Sequence, residues 1–343
     1  MTKRIVVFNH QGGVSKSTFI YNIAWMLAKK YNVLVVDGDP QCNLSSLILG
    51  DDFDKYYLED ATKEQNIKDG VTVAFTAKPY TIQAVTCFSP PRASSLYLLA
   101  GHANLSEYDA DLMYAQISNY GFPILQNLPG AFSELMNLTE EKYSIDYTLI
   151  DLNSGLNAIN QNLFLSAHAF IVPTNPEPFS VMAINTLGDI LPTWVSWKKK
   201  AVPLLADSVY PLSAGEPKFI GCLIQRFNVR KGFAAKPYID NIDEIKSLIS
   251  GKFFEAIAQV GMTLNLEQYT QDFIHSGYCL AEIPDFQGLL PKSYQAGVPV
   301  FELGNEEINE TGTVLEDMVK SRDELKNKFQ LLTNKLIDLL QYV

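Results

Sequence analysis

The chain has 343 residues, 47% of them hydrophobic and 19% charged, which is ample for a large core and ordinary for a folded protein. No apolar run reaches the roughly 18 residues needed to span a bilayer, and the short one behind the basic N-terminus is below the length of a secretory signal core. A net charge of −11 repels nucleic acid and acidic membranes as a whole, so DNA contact would need a local basic patch. Cys42, Cys87, Cys222 and Cys279 form no CxxC pair and the four histidines are scattered. That spacing predicts reduced thiols in a cytoplasmic protein and no zinc site.

In chain order, "RIVVFN" (4–9) reads as a first buried strand, followed by the glycine-containing turn "NHQGGVSKST" (9–18). A helix is predicted over 17–31, where Ile20, Ile23, Ala24 and Leu27 recur at helical spacing. Further strands are expected at 32–37, 95–101, 146–152, 169–175, 218–227 and 279–286. Each is a continuous Val/Ile/Leu-rich run rather than an alternating one, as for strands covered on both faces. Strand–helix alternation implies an α/β fold with a mostly parallel central sheet and helices on both faces. We expect a single domain over 1–343, with insertions near 51–93, 193–217 and 229–275. Trp194 and Trp197, with Tyr210, are expected to bury the proline-rich second insertion. The tail 311–343 reads as one amphipathic packing helix, capped by Thr311, with Val314, Leu315, Met318, Leu325, Phe329, Leu332 and Leu336 forming its apolar stripe.

The chemistry begins in the first turn. A glycine-rich turn between a strand and a helix N-terminus aims several backbone N–H groups at an anion, with the helix dipole behind them. Gly12 and Gly13 let the backbone approach phosphate without a Cβ in the way. Lys16 would reach the β- and γ-phosphates, Ser17 would offer its hydroxyl to magnesium and Thr18 would bond the α-phosphate. The usual pattern has glycine where His10 and Ser15 stand here, and Ser15 is expected to narrow the loop rather than close it. The competing reading is a tight turn whose Ser–Thr pair merely caps the helix. "VLVVDGDPQCN" then places Asp37 and Asp39 at the carboxyl end of the second strand, where ligands of open α/β sheets sit. "YTLIDLNSG" ends another strand with Asp151. Carboxylates there suit magnesium and the orientation of an attacking water, although Asp-Gly-Asp-Pro is also good turn sequence.

The ordered set "QGGVSKST", "VVDGDPQCNLS", "YTLIDLNSGLN", "FIVPTNPEPFSVMAI" and "IPDF…SYQAGVPVFEL" resembles the ParA/MinD/Soj class of deviant Walker P-loop ATPases over nearly the whole chain. The resemblance implies a P-loop NTPase fold with helical insertions, binding ATP and Mg²⁺. Carried over by position, Gln11, Gly12, Gly13, Val14, Ser15, Lys16, Ser17 and Thr18 form the phosphate loop. Lys16 is the phosphate lysine and Asp39 the acid that positions the hydrolytic water. Ser17, Asp37 and Asp151 surround the metal, and Gln225, Asn228, Pro284, Asp285 and Phe286 match segments that line the base. The family process is partitioning or positioning of DNA or a protein cargo, through an ATP-dependent homodimer and a partner or cargo-adaptor protein. Slow hydrolysis acts as its timer, and some members associate with the nucleoid.

The main departure is Gln11, where the family usually has a second lysine that crosses the dimer to the partner's phosphates. Glutamine keeps the reach and hydrogen-bonding capacity but loses the charge. Lys198–Lys200, Arg226 and Arg230 are candidate substitutes. Non-specific DNA binding would draw on 197–201, 225–238 and Lys320, Arg322, Lys326 and Lys328. The competing reading of those stretches is a set of solvated faces on an acidic protein. Two alternatives to an active ATPase stand beside it. One is a nucleotide-gated interaction module with weak turnover in a multi-protein system. The other is a dethiobiotin-synthetase-like ligase, for which no second substrate site is legible. His10 reads as a structural hydrogen-bonding residue.

Overall fold

Seven apolar runs build the sheet. In the computed structural model, which describes residues 2–118, 123–227, 229–230, 233–234 and 236–343, they become β1 (Lys3–Val7), β2 (Val33–Gly38), β3 (Leu96–Leu99), β4 (Tyr147–Leu152), β5 (Ala169–Thr174), β6 (Lys218–Gln225) and β7 (Cys279–Ile283). All pair in parallel, in the order β3-β2-β4-β1-β5-β6-β7. The expected fold class is therefore the observed one. β-branched residues dominate β1 and β2, whose apolar side chains are fully buried as a two-sided cover requires. The chain leaves β1 in one direction for β2 and later returns on its other side as β5. The loop after β1 thus opens at the topological switch point, where open sheets bind ligands.

Helix α1 (Lys16–Ala28) matches the expected span closely, but its burial is wider than one stripe: Phe19, Tyr21, Asn22, Trp25 and Met26 are buried as well. The cause is a second cover, the C-terminal helix Gly312–Leu340, whose Phe329 ring lies 6.5 Å from that of Phe19. Only the later part of that helix is buried, at Leu325, Phe329, Leu332, Leu336, Leu339 and Leu340. In its first turns Leu315 and Met318 of the expected stripe pack half-buried against the core, but Val314 is exposed and the Thr311 side chain makes no capping hydrogen bond. Under β1 the guanidinium of Arg4 is fully enclosed. It donates bidentately to Glu140 at 2.7 and 2.9 Å and also to Ser133 and Asn137. A buried charge is tolerable when every donor is met in this way.

The segment 51–93 contributes helices Phe53–Leu58 and Ile67–Phe75, with Ile67, Val71, Ile82 and Val85 in the common core. Residues 193–204 are the second half of the long helix Pro178–Leu204 rather than a separate irregular piece. Trp194 accordingly packs inside the core, 5.7 Å from the rings of both Phe8 and Phe164, and not onto a proline-rich insertion. Trp197 does reach outward, donating its indole N–H to Gln116 O, and the Tyr210 hydroxyl accepts from Ile82 N. The segment 229–275 holds a two-stranded antiparallel pair (Val229–Arg230 with Phe233–Ala234) and then helices, including Lys236–Leu248.

Candidate nucleotide site

Parallel pairing does the first part of the assembly. Val7 is opposite Asp151 and Asp37 is opposite Asp151 in the register, so the loop after β1 and the two carboxylates meet at one edge. Above them lies a cavity of about 730 Å³. Its walls include Gly13, Val14, Ser15, Lys16, Ser17, Thr18 and Asp39 on one side and Gln225, Pro284, Asp285 and Phe286 on the other. Two groups of residues chosen separately from the sequence therefore share a single space. Asn228 lies outside the described residues, as does the side chain of Arg230.

The loop adopts a conformation that glycine chemistry explains. Gly13 has φ 75° and Ser15, the N-terminal flank of α1, has φ 58°. The usual glycine at position 15 would hold that angle without a Cβ penalty; serine holds it at some cost. The substitution therefore strains the backbone, and Ser15 itself stands in the cavity wall. The Lys16 side chain is 7% exposed. Its ammonium donates to Asn9 O at 3.1 Å, Gln11 O at 3.4 Å and Ser154 Oγ at 2.8 Å. Burial lowers its pKa, opposed by the negative charges of Asp151 and Asp39.

The carboxylates are unequal. Asp37 accepts from Ser45 N and Ser45 Oγ at 2.8 and 2.7 Å, and from Asp39 N at 3.2 Å. Burial nevertheless pushes its pKa up to about 6. Asp151 is pushed to about 8 by burial first and the neighbouring Asp37 second. The Ser17 hydroxyl is near enough to favour its charged form, yet neither Asp151 oxygen completes a hydrogen bond. A fully buried carboxylate without a partner, beside a second one and a serine hydroxyl, is an oxygen-rich niche that fits a hard cation such as Mg²⁺. Among the described residues no three His, Cys, Asp or Glu side chains form a metal cage by themselves, so phosphate and water would have to complete the shell. Asp39 is only half-buried and accepts from Gln41 N, which holds it at the cavity wall.

Gln11 does not face outward freely: its side-chain oxygen accepts from the buried Ser180 hydroxyl at 3.0 Å. Of the candidate substitute cations, Arg226 stands at the cavity and donates from Nη1 to Gly13 O at 2.8 Å. Lys198 is instead buried elsewhere, donating to Leu165 O and Gly215 O, with its pKa lowered by burial to about 8. Lys199 pairs with Glu216 at 3.2 Å, and Arg322 donates to Leu303 O and pairs with Asp323. Of the basic residues expected to meet DNA, Lys198, Lys199, Arg226 and Arg322 are thus already engaged within the chain. His10 has its pKa lowered by burial and by Lys16, and its Nδ1 has no partner among the described residues. Ser154, Tyr21 and Tyr294 also line the cavity. Ser154 follows Asp151 closely in "DLNSG", so that motif points to it; no local pattern marks the two tyrosines.

A family model described as an AAA domain matches residues 2–200. An uncharacterized protein of Methanocaldococcus jannaschii is 27% identical over 186 residues, which are 54% of this chain and 63% of that protein. The chain thus covers less than two thirds of that relative. Among solved structures, a plasmid partition protein of Borrelia burgdorferi, described as putative and bound to AMPPNP, aligns with TM-score 0.52 and 17% identity, over 95% of this chain and 100% of its own. The pNOB8 ParA, bound to nonspecific DNA, aligns with TM-score 0.55 and 15% identity over 99% of each chain. No helix among the described residues is long and apolar enough to cross a membrane. The chain belongs to the AAA domain family, and it shares its fold with these partition proteins.

Proposed function

We propose that this protein is an ATPase of the partitioning or positioning kind, in which ATP and Mg²⁺ join two copies and slow hydrolysis releases them. The observation that carries this reading is the single cavity that unites the phosphate loop, Asp39 and the segment Pro284–Phe286 above the buried Asp37–Asp151 pair. In it, the amides of the Gly13–Thr18 turn and the α1 dipole hold the phosphates, and Lys16 turns from its carbonyl partners toward them. Ser17, Asp37 and Asp151 would hold Mg²⁺, which when bound neutralises phosphate charge. Asp39 orients a water for attack, and Gln225 and Phe286 bound the base. Arg226 supplies the positive charge that Gln11 lacks. The cargo is DNA or a protein reached through an adaptor; the chain is cytoplasmic in this reading, with nucleoid association when DNA is bound.

A second reading, a nucleotide-gated interaction module with little turnover, is favoured by the Gln11–Ser180 hydrogen bond, which ties the departing residue to its own chain. Light scattering with ADP and then with ATP and Mg²⁺ separates the two. A dimer only with ATP, which persists longer in Asp39→Ala and is lost in Arg226→Ala, supports the first. ATP binding without a change of mass sinks it in favour of the second.

A further inference from the structure

Away from the cavity, two of the four thiols are placed against each other. Cys222 in β6 is the register partner of Cys279, the first residue of β7. Neighbouring strands run about 4.8 Å apart, inside the Cα separation that a disulfide requires. Paired positions also point to the same face of the sheet. The packing beside the pair is tight: a Cβ on Gly221 would sit 2.8 Å from Leu280, Phe273 and Tyr278 O. Both cysteines are free thiols, 0% and 6% exposed, and the Cys222 S–H donates to Gly277 O at 3.7 Å.

We propose that Cys222 and Cys279 are a redox-responsive dithiol, which hydrogen peroxide converts into an intramolecular disulfide that changes the affinity of the neighbouring nucleotide site. The second half of this inference rests on the ATPase reading above; the first does not. Cys279, the less deeply buried of the two, is the attacking sulfur. The neighbouring Cys222 thiol lowers its pKa first, against burial, with further help from the ammoniums of Lys246 and Lys335 and opposition from Glu282. Lys246 is itself paired with Glu282 at 2.6 Å. The Cys279 thiolate takes the outer oxygen of the peroxide, giving a sulfenic acid and, with one proton, water. Cys222 then attacks that sulfur, its proton leaves with the hydroxyl as a second water, and the S–S bond forms. Two thiols lose one electron pair, and the peroxide gains it.

The link to the cavity is mechanical. The register slips between Cys222 and Leu223, which pairs with Ala281 and leaves Leu280 over. Just beyond this bulge the two strands deliver Gln225–Arg226 and Pro284–Phe286 to the cavity wall. A covalent bond at the bulge fixes a register that hydrogen bonds alone hold loosely. Cys42 and the half-buried Cys87 serve as internal controls, since neither lies on β6 or β7 opposite another cysteine.

The test treats the full chain with hydrogen peroxide, blocks remaining thiols by alkylation and maps linked peptides by mass spectrometry. ATP affinity is measured by calorimetry on the reduced, oxidised and re-reduced protein. The expected result is a Cys222–Cys279 link formed before Cys42 or Cys87 reacts, with a reversible shift in affinity of roughly fivefold or more, the low end of site-to-site couplings. Oxidation at Cys42 or Cys87 without the link overturns the dithiol, and a link with unchanged affinity overturns its regulatory role. Failure of the reduced protein to bind ATP overturns the nucleotide reading and the coupling with it, while peptide mapping still decides the dithiol. Cys279→Ala should abolish both responses and keep the reduced affinity. Should that variant not fold, mapping of the unmodified chain still decides the dithiol.

Discussion

Ser15 shows how one side chain can weaken a motif without removing it. A non-glycine residue in the left-handed region costs ~1–2 kcal/mol. Glycine there adds ~0.5–1 kcal/mol of unfolded-chain freedom to be lost. Ser15→Gly should therefore raise stability by up to ~1.5 kcal/mol in urea unfolding; a loss would mean that the serine hydroxyl matters more than its φ. His168 makes a different statement. Its Nδ1 accepts from Arg4 N at 3.0 Å, and burial, then Arg4, Lys3 and Lys198, depress its pKa to about 4 from 6.5. The unfolded chain therefore binds a proton that the folded chain refuses between those values. The stability it contributes is complete above about pH 6.5 and is lost as pH falls through about 4. His168→Asn, which can keep an acceptor near Nδ1 and does not titrate, should flatten the stability profile across that window.

At the scale of elements, the C-terminal helix is coupled to the candidate site through aromatic packing. Phe329 lies 5.6 Å from Phe301 and 6.3 Å from Phe286, ring centre to ring centre, and Phe286 lines the cavity. Removing a buried phenyl ring costs ~3–5 kcal/mol. Phe329→Ala should show that loss in thermal unfolding and should also weaken ATP binding. Leu336→Ala, two turns further along the helix, should cost stability with ATP affinity intact. Equal effects of the two on ATP affinity would remove the aromatic coupling. The same helix shows how far a pattern carries: its apolar spacing marks Leu325 to Leu336 correctly, but the spacing continues back to Val314, which has no sheet beneath it.

For the whole molecule, a charge of −11 means that two copies repel at long range. Screening shortens that repulsion to about 10 Å at 0.1 M salt. If ATP joins two copies as proposed, raising salt from low values toward that range should strengthen the dimer, measured again by light scattering. A dimer that weakens steadily with salt would point to attraction between complementary charged patches instead.

Strand identity and the chemistry at strand ends were determined by the sequence itself. A parallel sheet buried on both faces demands unbroken apolar runs, and Lys16, Ser17, Asp37, Asp39 and Asp151 stand directly at or after such runs. The convergence of other groups was decided only by tertiary structure. Arg226 reaches Gly13 across 213 positions of chain, and Gln11 finds Ser180 across 169. Cys222 meets Cys279 because of strand order and a register slip, neither of which leaves a local pattern. Periodicity records which face of an element is buried; which element covers it depends on the packing of the whole chain.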